Sequence, residues 1–319
     1  MRRLLPLFAL FALGCSEAPP EGPGDAAFNG RWIIAPQNHP AKRAMWLEVN
    51  GAGTPAISGS AIGGGPGGQL DPIVDAKIEN GELTYRVDRH VGRGERRRLV
   101  ETPSRARVVG DELHGSTDSG DGIDWIGYRA PEITDRDDGS WREGETLTLF
   151  DGTNLDAWET LNPGRDQEWF VEDGVMKNHE QADVLKTKES FWNFRLQVEY
   201  RVRPGMNGGI GLRSRYEIQI LDDHGQPSTK SGNGALYSRV PPSVNASKPA
   251  DEWQTFDITF IGRDVTVVLN DQTIIDKAVV DGFTAMATDW HESEPGPITL
   301  QGDHGAVEFR KILLTKLEQ

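Results

Sequence analysis

The sequence predicts an all-β protein of two domains. Its 37 glycines and 19 prolines are spread among short apolar runs, and helical periodicity is nearly absent, so many short strands joined by turns are expected. With 319 residues and 36% hydrophobic content, the chain can fill two ordinary cores rather than one.

Met1-Arg2-Arg3, an apolar run from Leu4 to Leu13 and then Gly14-Cys15 form the n-region, h-region and small-residue cleavage site of a secretory signal over residues 1–14. The run is about half of the roughly 20 residues a membrane-spanning helix needs. Leu10 to Cys15 resembles a bacterial lipobox, with Ala12 where that motif usually has Leu. That resemblance implies acylation of Cys15, a lipid anchor to the membrane and a place in the bacterial cell envelope, outer membrane or periplasm. Cys15 is the only cysteine, so a disulfide within the chain is ruled out. Residues 15–25 are small, polar and proline-rich, as a flexible tether would be. A net charge of -15 argues against nucleic acid and against an anionic bilayer surface as partners, because the field repels polyanions.

Residues 26–131 break into alternating strands, among them 45–49, 76–78, 83–87, 106–109 and 125–128, with turns at Asn80-Gly81 and Gly110-Asp111. Six to eight such strands make a small antiparallel β-barrel or sandwich, on the order of one strand per 15 residues. Asn29-Gly30-Arg31-Trp32 resembles the Gly-x-Trp start of lipocalin-like barrels. The glycine-rich run 59–68 lacks the Lys-Ser/Thr of a phosphate loop, and Arg93 with Arg96, Arg97 and Arg98 reads as a solvated hairpin. Residues 132–145 are charged and turn-rich, the composition of an interdomain linker.

Residues 146–317 carry about a dozen further strands, the count of a two-sheet jelly roll. They are read at 147–150, 169–172, 175–177, 184–187, 194–201, 209–213, 216–221, 254–261, 264–269, 272–275, 297–301 and 307–314. Ordered blocks in this half include Leu149-Phe150-Asp151-Gly152, Glu172-Asp173-Gly174-Val175, Asn207-Gly208-Gly209-Ile210, Tyr216 to Asp222, Gly234-Ala235-Leu236-Tyr237, Asn245 to Pro249 and Leu300 to Gly305. With these blocks it resembles the 3-keto-disaccharide hydrolase domain family, formerly a domain of unknown function. The resemblance implies a concanavalin-like jelly-roll sandwich and an enzyme that cleaves 3-keto-disaccharides or related 3-keto-glycosides. The first hundred or so residues lie outside it.

Strand alternation places Tyr216, Ile218 and Ile220 toward the core and Glu217 and Gln219 on the opposite face. In the preceding strand Ile210 and Leu212 face inward, leaving Arg213 beside Glu217. An arginine, a carboxylate and an amide converging in an open groove suit vicinal hydroxyls, with the cation holding the carboxylate in its working state. The plainer alternative is an exposed Arg213–Glu217 salt bridge without function. The loops Asp222-Asp223-His224-Gly225 and Asp303-His304-Gly305 add acid, base or ligand groups at strand ends. Trp290 lies beside Glu292 and Glu294, suited either to stacking on a pyranose or to capping the sandwich edge. Trp158, Trp169 and Trp253 are expected in the core. The matched blocks add Asn207 and Gln301 as sugar contacts.

Two routes stay open at this point. Glu217 and Asp222 or Asp223 could act as the paired carboxylates of ordinary glycoside hydrolysis. Alternatively the ketone implied by the resemblance acidifies the neighbouring C–H, with Glu217 or His304 as base and Arg213, His224 or a metal stabilising the enolate. A divalent cation, calcium or similar, is left open as a cofactor. The rival to an enzyme is a non-catalytic carbohydrate-binding lipoprotein module, and a weaker one a structural surface lipoprotein.

Overall fold

The computed structural model describes residues 24–37, 43–63, 68–91, 98–118, 122–162, 169–179 and 181–319. The leader 1–14, Cys15, the tether as far as residue 23, residues 64–67 of the glycine-rich run, and Arg93, Arg96 and Arg97 lie outside the described residues. No helix among the described residues is long and apolar enough to cross a membrane.

Eight strands close the N-terminal barrel: β1(Gly30–Pro36), β2(Met45–Asn50), β3(Ser58–Ile62), β4(Asp71–Glu79), β5(Glu82–Val91), β6(Arg98–Val109), β7(Glu112–Thr117) and β8(Ile123–Arg129), with β1 pairing back onto β8. A closed eight-stranded meander is the topology of lipocalin-like barrels and leaves no sheet edge free. Asn80 and Gly81 make the β4–β5 turn at φ of 52° and 70°, the double left-handed geometry a tight hairpin needs. Trp32 is fully buried, donates its indole N–H to the Phe28 carbonyl at 2.9 Å and lies under the Arg129 guanidinium at 3.6 Å.

Alternation in β1 to β3 serves two cores. Trp32, Ile34, Met45, Leu47, Val49 and Ala61 fill the barrel, whereas Ile33, Trp46 and Ile62 point outward into the core of the second domain. The run Trp32-Ile33-Ile34-Ala35 is therefore buried on both faces, which is why it reads as continuous rather than alternating.

The second domain is a jelly-roll sandwich of two antiparallel sheets. The five-stranded sheet has the order β10(Trp158–Thr160), β13(Leu185–Thr187), β20(Thr299–Leu300), β15(Asn207–Leu212), β16(Tyr216–Leu221). The other has the order β11(Trp169–Glu172), β12(Val175–Asn178), β21(Val307–Glu318), β14(Phe194–Val202), β17(Gln254–Ile261), β18(Asp264–Leu269), β19(Gln272–Val279), with β9(Arg142–Phe150) also on β21. Ile210, Leu212, Ile218 and Ile220 pack inward against Leu196, Val198, Phe256, Ile258 and Phe260. Strand β10 is too short to show in the sequence, and β9 starts at Arg142, inside the segment read as linker. The rest of that segment is fastened to the sandwich: Asp135 accepts from Trp192 Nε1 and Asn193 Nδ2, each at 2.8 Å, and Arg136 donates to Asp264 at 2.8 Å.

Trp158 and Trp169 are buried as expected, donating to the Leu149 and Asp183 carbonyls. Trp253 is not in the core. It sits half-buried between the Arg201 and Arg310 guanidiniums, 4.9 and 4.5 Å from its ring, because the turn before β17 turns it outward.

The domains are joined by apolar contact. Trp46 packs on Phe283 with centroids 6.0 Å apart and lies under the Arg239 guanidinium at 5.4 Å. Backbone bonds fix the register of docking, from Ala44 N–H to the Ala287 carbonyl at 3.0 Å and from Leu70 N–H to Ser238 Oγ at 2.6 Å. Trp46→Ala should cost about 3–5 kcal/mol, the usual range for emptying a buried aromatic site, and should split urea unfolding into separate barrel and sandwich transitions. One unsplit transition at the wild-type midpoint would show that the interface carries no such energy.

Candidate active site

The site lies on the outward face of the five-stranded sheet. Glu217 pairs with Gly211 and Gln219 with Gly209 across β15 and β16, and Gly211 pairs with Thr299 of β20. Glycine is required there by space: a Cβ on Gly209 would come within 2.6 Å of Glu217 Oε1 and 3.1 Å of Gln301 Oε1, and one on Gly211 within 2.0 Å of Thr299 Oγ1. The two bare positions give Glu217, Gln219, Thr299 and Gln301 their room.

The groove expected here is not open. Glu217 and Gln219 are each 4% exposed. Along the free edge of β16 a segment from Gly234 to Tyr237 bonds to the Gln219 and Glu217 backbone, and Thr284 Oγ1 accepts from Glu217 N–H at 2.9 Å. The barrel closes the remainder. Gln69 is hydrogen-bonded to the Tyr237 hydroxyl, and the Arg89–Asp71 ion pair, 2.7 Å from Nε to carboxylate, stands behind it.

Burial pushes the Glu217 carboxyl up to about 7, against the opposing pull of the His304 and Arg43 charges and a hydrogen bond with Gln301; the Asp303 charge adds to the rise. His304 is raised as well, above the ordinary imidazole value. Its Nδ1 lies 2.7 Å from Asp303 Oδ1, and this bond, with the Asp303 and Glu217 charges, holds its pKa above the ordinary value against burial and the Arg43 charge. The same bond holds Asp303 below the usual carboxylate range. The Glu217 carboxyl and the His304 imidazole thus act on each other's charge, and both have raised pKa values.

Asn178 fixes the loop that carries Asp303 and His304. Its side chain donates to the Gly302 and Gly305 carbonyls at 3.1 and 2.9 Å and accepts from Val307 N–H at 3.1 Å. That loop clamp, Tyr237 and Arg43 were not singled out from the sequence. Tyr237 stood inside a matched block, whereas Asn178 and Arg43 reach the site through contacts between distant segments.

Several expected site residues are elsewhere. Arg213 does not accompany Glu217: it is the first residue of the β15–β16 turn, and its φ of 50° swings the side chain off the strand alternation. It is fully buried, donates to the Trp192 and Gly262 carbonyls at 2.7 and 2.8 Å, and lies over the Trp192 and Phe260 rings, with burial pushing its pKa down to about 9. The exposed Arg213–Glu217 bridge is absent for the same reason. Asp222 lies five residues from Glu217, about 16 Å along a strand, and accepts from Gly205 N–H at 2.8 Å. Asp223 is buried, accepting from Asn233 N–H and Ser247 Oγ, each at 2.9 Å. His224 is exposed with its ring nitrogen 2.6 Å from the Ser247 carbonyl. These three clasp a loop.

Trp290 packs partly buried against the sandwich core beside His291, capping the edge, and Glu292 is buried against the Tyr216 hydroxyl at 2.7 Å. Asn207 shares the face of Gly209 and Gly211 but pairs with Leu221, at the far end from Glu217. Among the described residues no group of three or more His, Cys, Asp or Glu is arranged to hold a metal ion.

What the fold defines is a two-sheet β-sandwich whose shorter sheet carries a buried carboxyl, Glu217, on its covered outward face. The model of the 3-keto-alpha-glucoside-1,2-lyase-like domain matches residues 145–315. That is more than half of the chain, which therefore belongs to this family. A 3-keto-disaccharide hydrolase of Bacteroides thetaiotaomicron is 24% identical over 167 residues, 41% of this chain and 57% of that protein's length. A solved structure from Parabacteroides distasonis, provisionally assigned as a glycosyl hydrolase, is 27% identical with a TM-score of 0.47, over 59% of this chain and 92% of its own. A carbohydrate binding module from Bacillus subtilis is 14% identical with a TM-score of 0.36, over 51% of this chain and 96% of its own.

Because Glu217 protonates at about 7 in the fold and near 4.5 when exposed, its burial leaves stability intact below pH 4.5 and removes it as pH rises through 7. Glu217→Gln should therefore gain roughly 3 kcal/mol relative to wild type between pH 4 and pH 8, read from urea midpoints. A difference that does not change with pH would mean that Glu217 titrates as if in water.

Proposed function

We propose that this protein cleaves 3-keto-glycosides by β-elimination followed by hydration, with Glu217 as the base. The observation that carries this reading is the buried Glu217 carboxyl, raised to about 7, where a general base works best, and coupled to the charge of His304, whose own pKa is raised by Asp303. Family membership and the hydrolase relative support a glycoside as substrate.

A ketone at C3 makes the C2 hydrogen acidic. Glu217 takes that proton, and the C–H electron pair becomes the enolate. The enolate collapses to a C1–C2 double bond as the C1–O bond breaks, and the departing oxygen leaves with a proton from His304. Water then adds its oxygen to C1, C2 regains a proton from Glu217, and the proton released by water returns to His304. The net change is hydrolysis, with no oxidant consumed. Gln301 and Gln219 offer amides to the sugar hydroxyls. The paired-carboxylate route is less well served, since Asp222 and Asp223 are committed to backbone and side-chain partners away from Glu217.

Glu217→Gln should lower kcat on a 3-keto-glucoside by about 10²–10⁴ while leaving the fold intact by circular dichroism; near-wild-type turnover would remove Glu217 as base. In the wild type kcat/KM should rise with pH as Glu217 ionises about 7 and fall again as His304 loses its proton. His304→Asn should abolish the falling limb.

We propose further, from the sequence of the leader, that Cys15 is lipidated and holds the protein at the bacterial envelope. Metabolic labelling with a palmitate analogue should mark the expressed chain and fail to mark Cys15→Ser; equal labelling of both would exclude the anchor.

A further inference from the structure

We propose that the N-terminal barrel is part of the active site: Arg43 crosses the domain boundary and holds the substrate oxygen that becomes negative when Glu217 removes the proton. This rests on the reaction just proposed and adds a residue from outside the family domain, which begins at residue 145.

The placement follows from the docking. Ala44, the next residue, is buried, belongs to the sandwich core cluster and donates its N–H to the Ala287 carbonyl at 3.0 Å. Two residues on, Trp46 is buried against Phe283. Gly68 on the next barrel loop sits so close that a Cβ there would lie 2.6 Å from Ala285. Arg43 is thus delivered by backbone fixed to the second domain, and it arrives at Asp303, with its guanidinium 3.8 Å from Oδ2. That separation is an ion pair but too long for a hydrogen bond, so Asp303 attracts the guanidinium without occupying its N–H groups. About half of the side chain remains exposed.

The chemistry asks for such a group. Glu217 removes a proton and leaves an enolate oxygen that needs a fixed donor where charge develops. Arg213, the cation that strand spacing favoured, is locked among carbonyls and rings at the turn. Arg43 is the guanidinium whose charge acts on Glu217, His304 and Asp303 together.

The test compares full-length wild type with Arg43→Gln and Arg43→Lys. Three readouts are taken: turnover of a 3-keto-glucoside, its pH profile, and calorimetric binding of 3-keto-glucose. Arg43→Gln should lose about 10²–10³ in kcat, the cost of one oxyanion donor, and bind 3-keto-glucose at least tenfold more weakly. Loss of the positive charge should move both limbs of the pH profile to higher pH, since that charge favours ionised Glu217 and disfavours protonated His304; the other groups facing them, Asp303 and Tyr237, are unchanged. Arg43→Lys should keep the limbs in place but recover only part of the rate. Unchanged kcat, limbs and affinity in Arg43→Gln, with wild-type Tm, would overturn the proposal. A wild type that binds 3-keto-glucose without cleaving the glucoside would sink the reaction, while the affinity of Arg43→Gln would still decide whether Arg43 holds the sugar. A wild type that neither binds nor cleaves would sink both.

Discussion

The strands that matter most in this protein are buried on both faces, and the rest of the structure depends on that. Period-two alternation gives a strand two surfaces. In β2 one surface, Met45, Leu47 and Val49, fills the barrel, while Trp46 on the other fills the sandwich. In β16 the surface of Tyr216, Ile218 and Ile220 fills the sandwich core, while Glu217 and Gln219 on the other lie beneath the barrel and the loops beside it. A shift of one residue in either strand would exchange these surfaces and place a carboxylate in the core.

Covering the outward face also sets the electrostatics. A carboxylate in a solvated groove would stay ionised to low pH and make a weak base. Burial raises Glu217 toward neutrality, and the charges of His304 and Arg43 keep it from being permanently protonated. His304 is raised too, first by its hydrogen bond to Asp303. Asn178, through three hydrogen bonds, holds the loop that carries Asp303 and His304.

Much of this was legible in the residues. Alternation placed Glu217 and Gln219 on the outward face, and turn chemistry located Asn80-Gly81 between β4 and β5. Arg213 was misplaced because a left-handed turn residue obeys no alternation. Asp222, Asp223 and His224 were indistinguishable by type from Asp303 and His304, and only the fold shows that the first set clasps a loop while the second faces Glu217. Arg43 lay beyond reach of any local pattern, since its position depends on how two domains dock. The unbroken run Trp32 to Ala35 was the one hint that the barrel had a second face to bury.

The order in which the chain is made gives that docking another meaning. The barrel is complete long before the ribosome reaches Phe283, the partner of Trp46. Until then Ile33, Trp46 and Ile62 form an apolar face with nothing of their own to cover it, open to neighbouring nascent chains. Early folding of the barrel is thus a hazard to this protein, and whatever keeps the chain unfolded until synthesis ends protects it from its own first half.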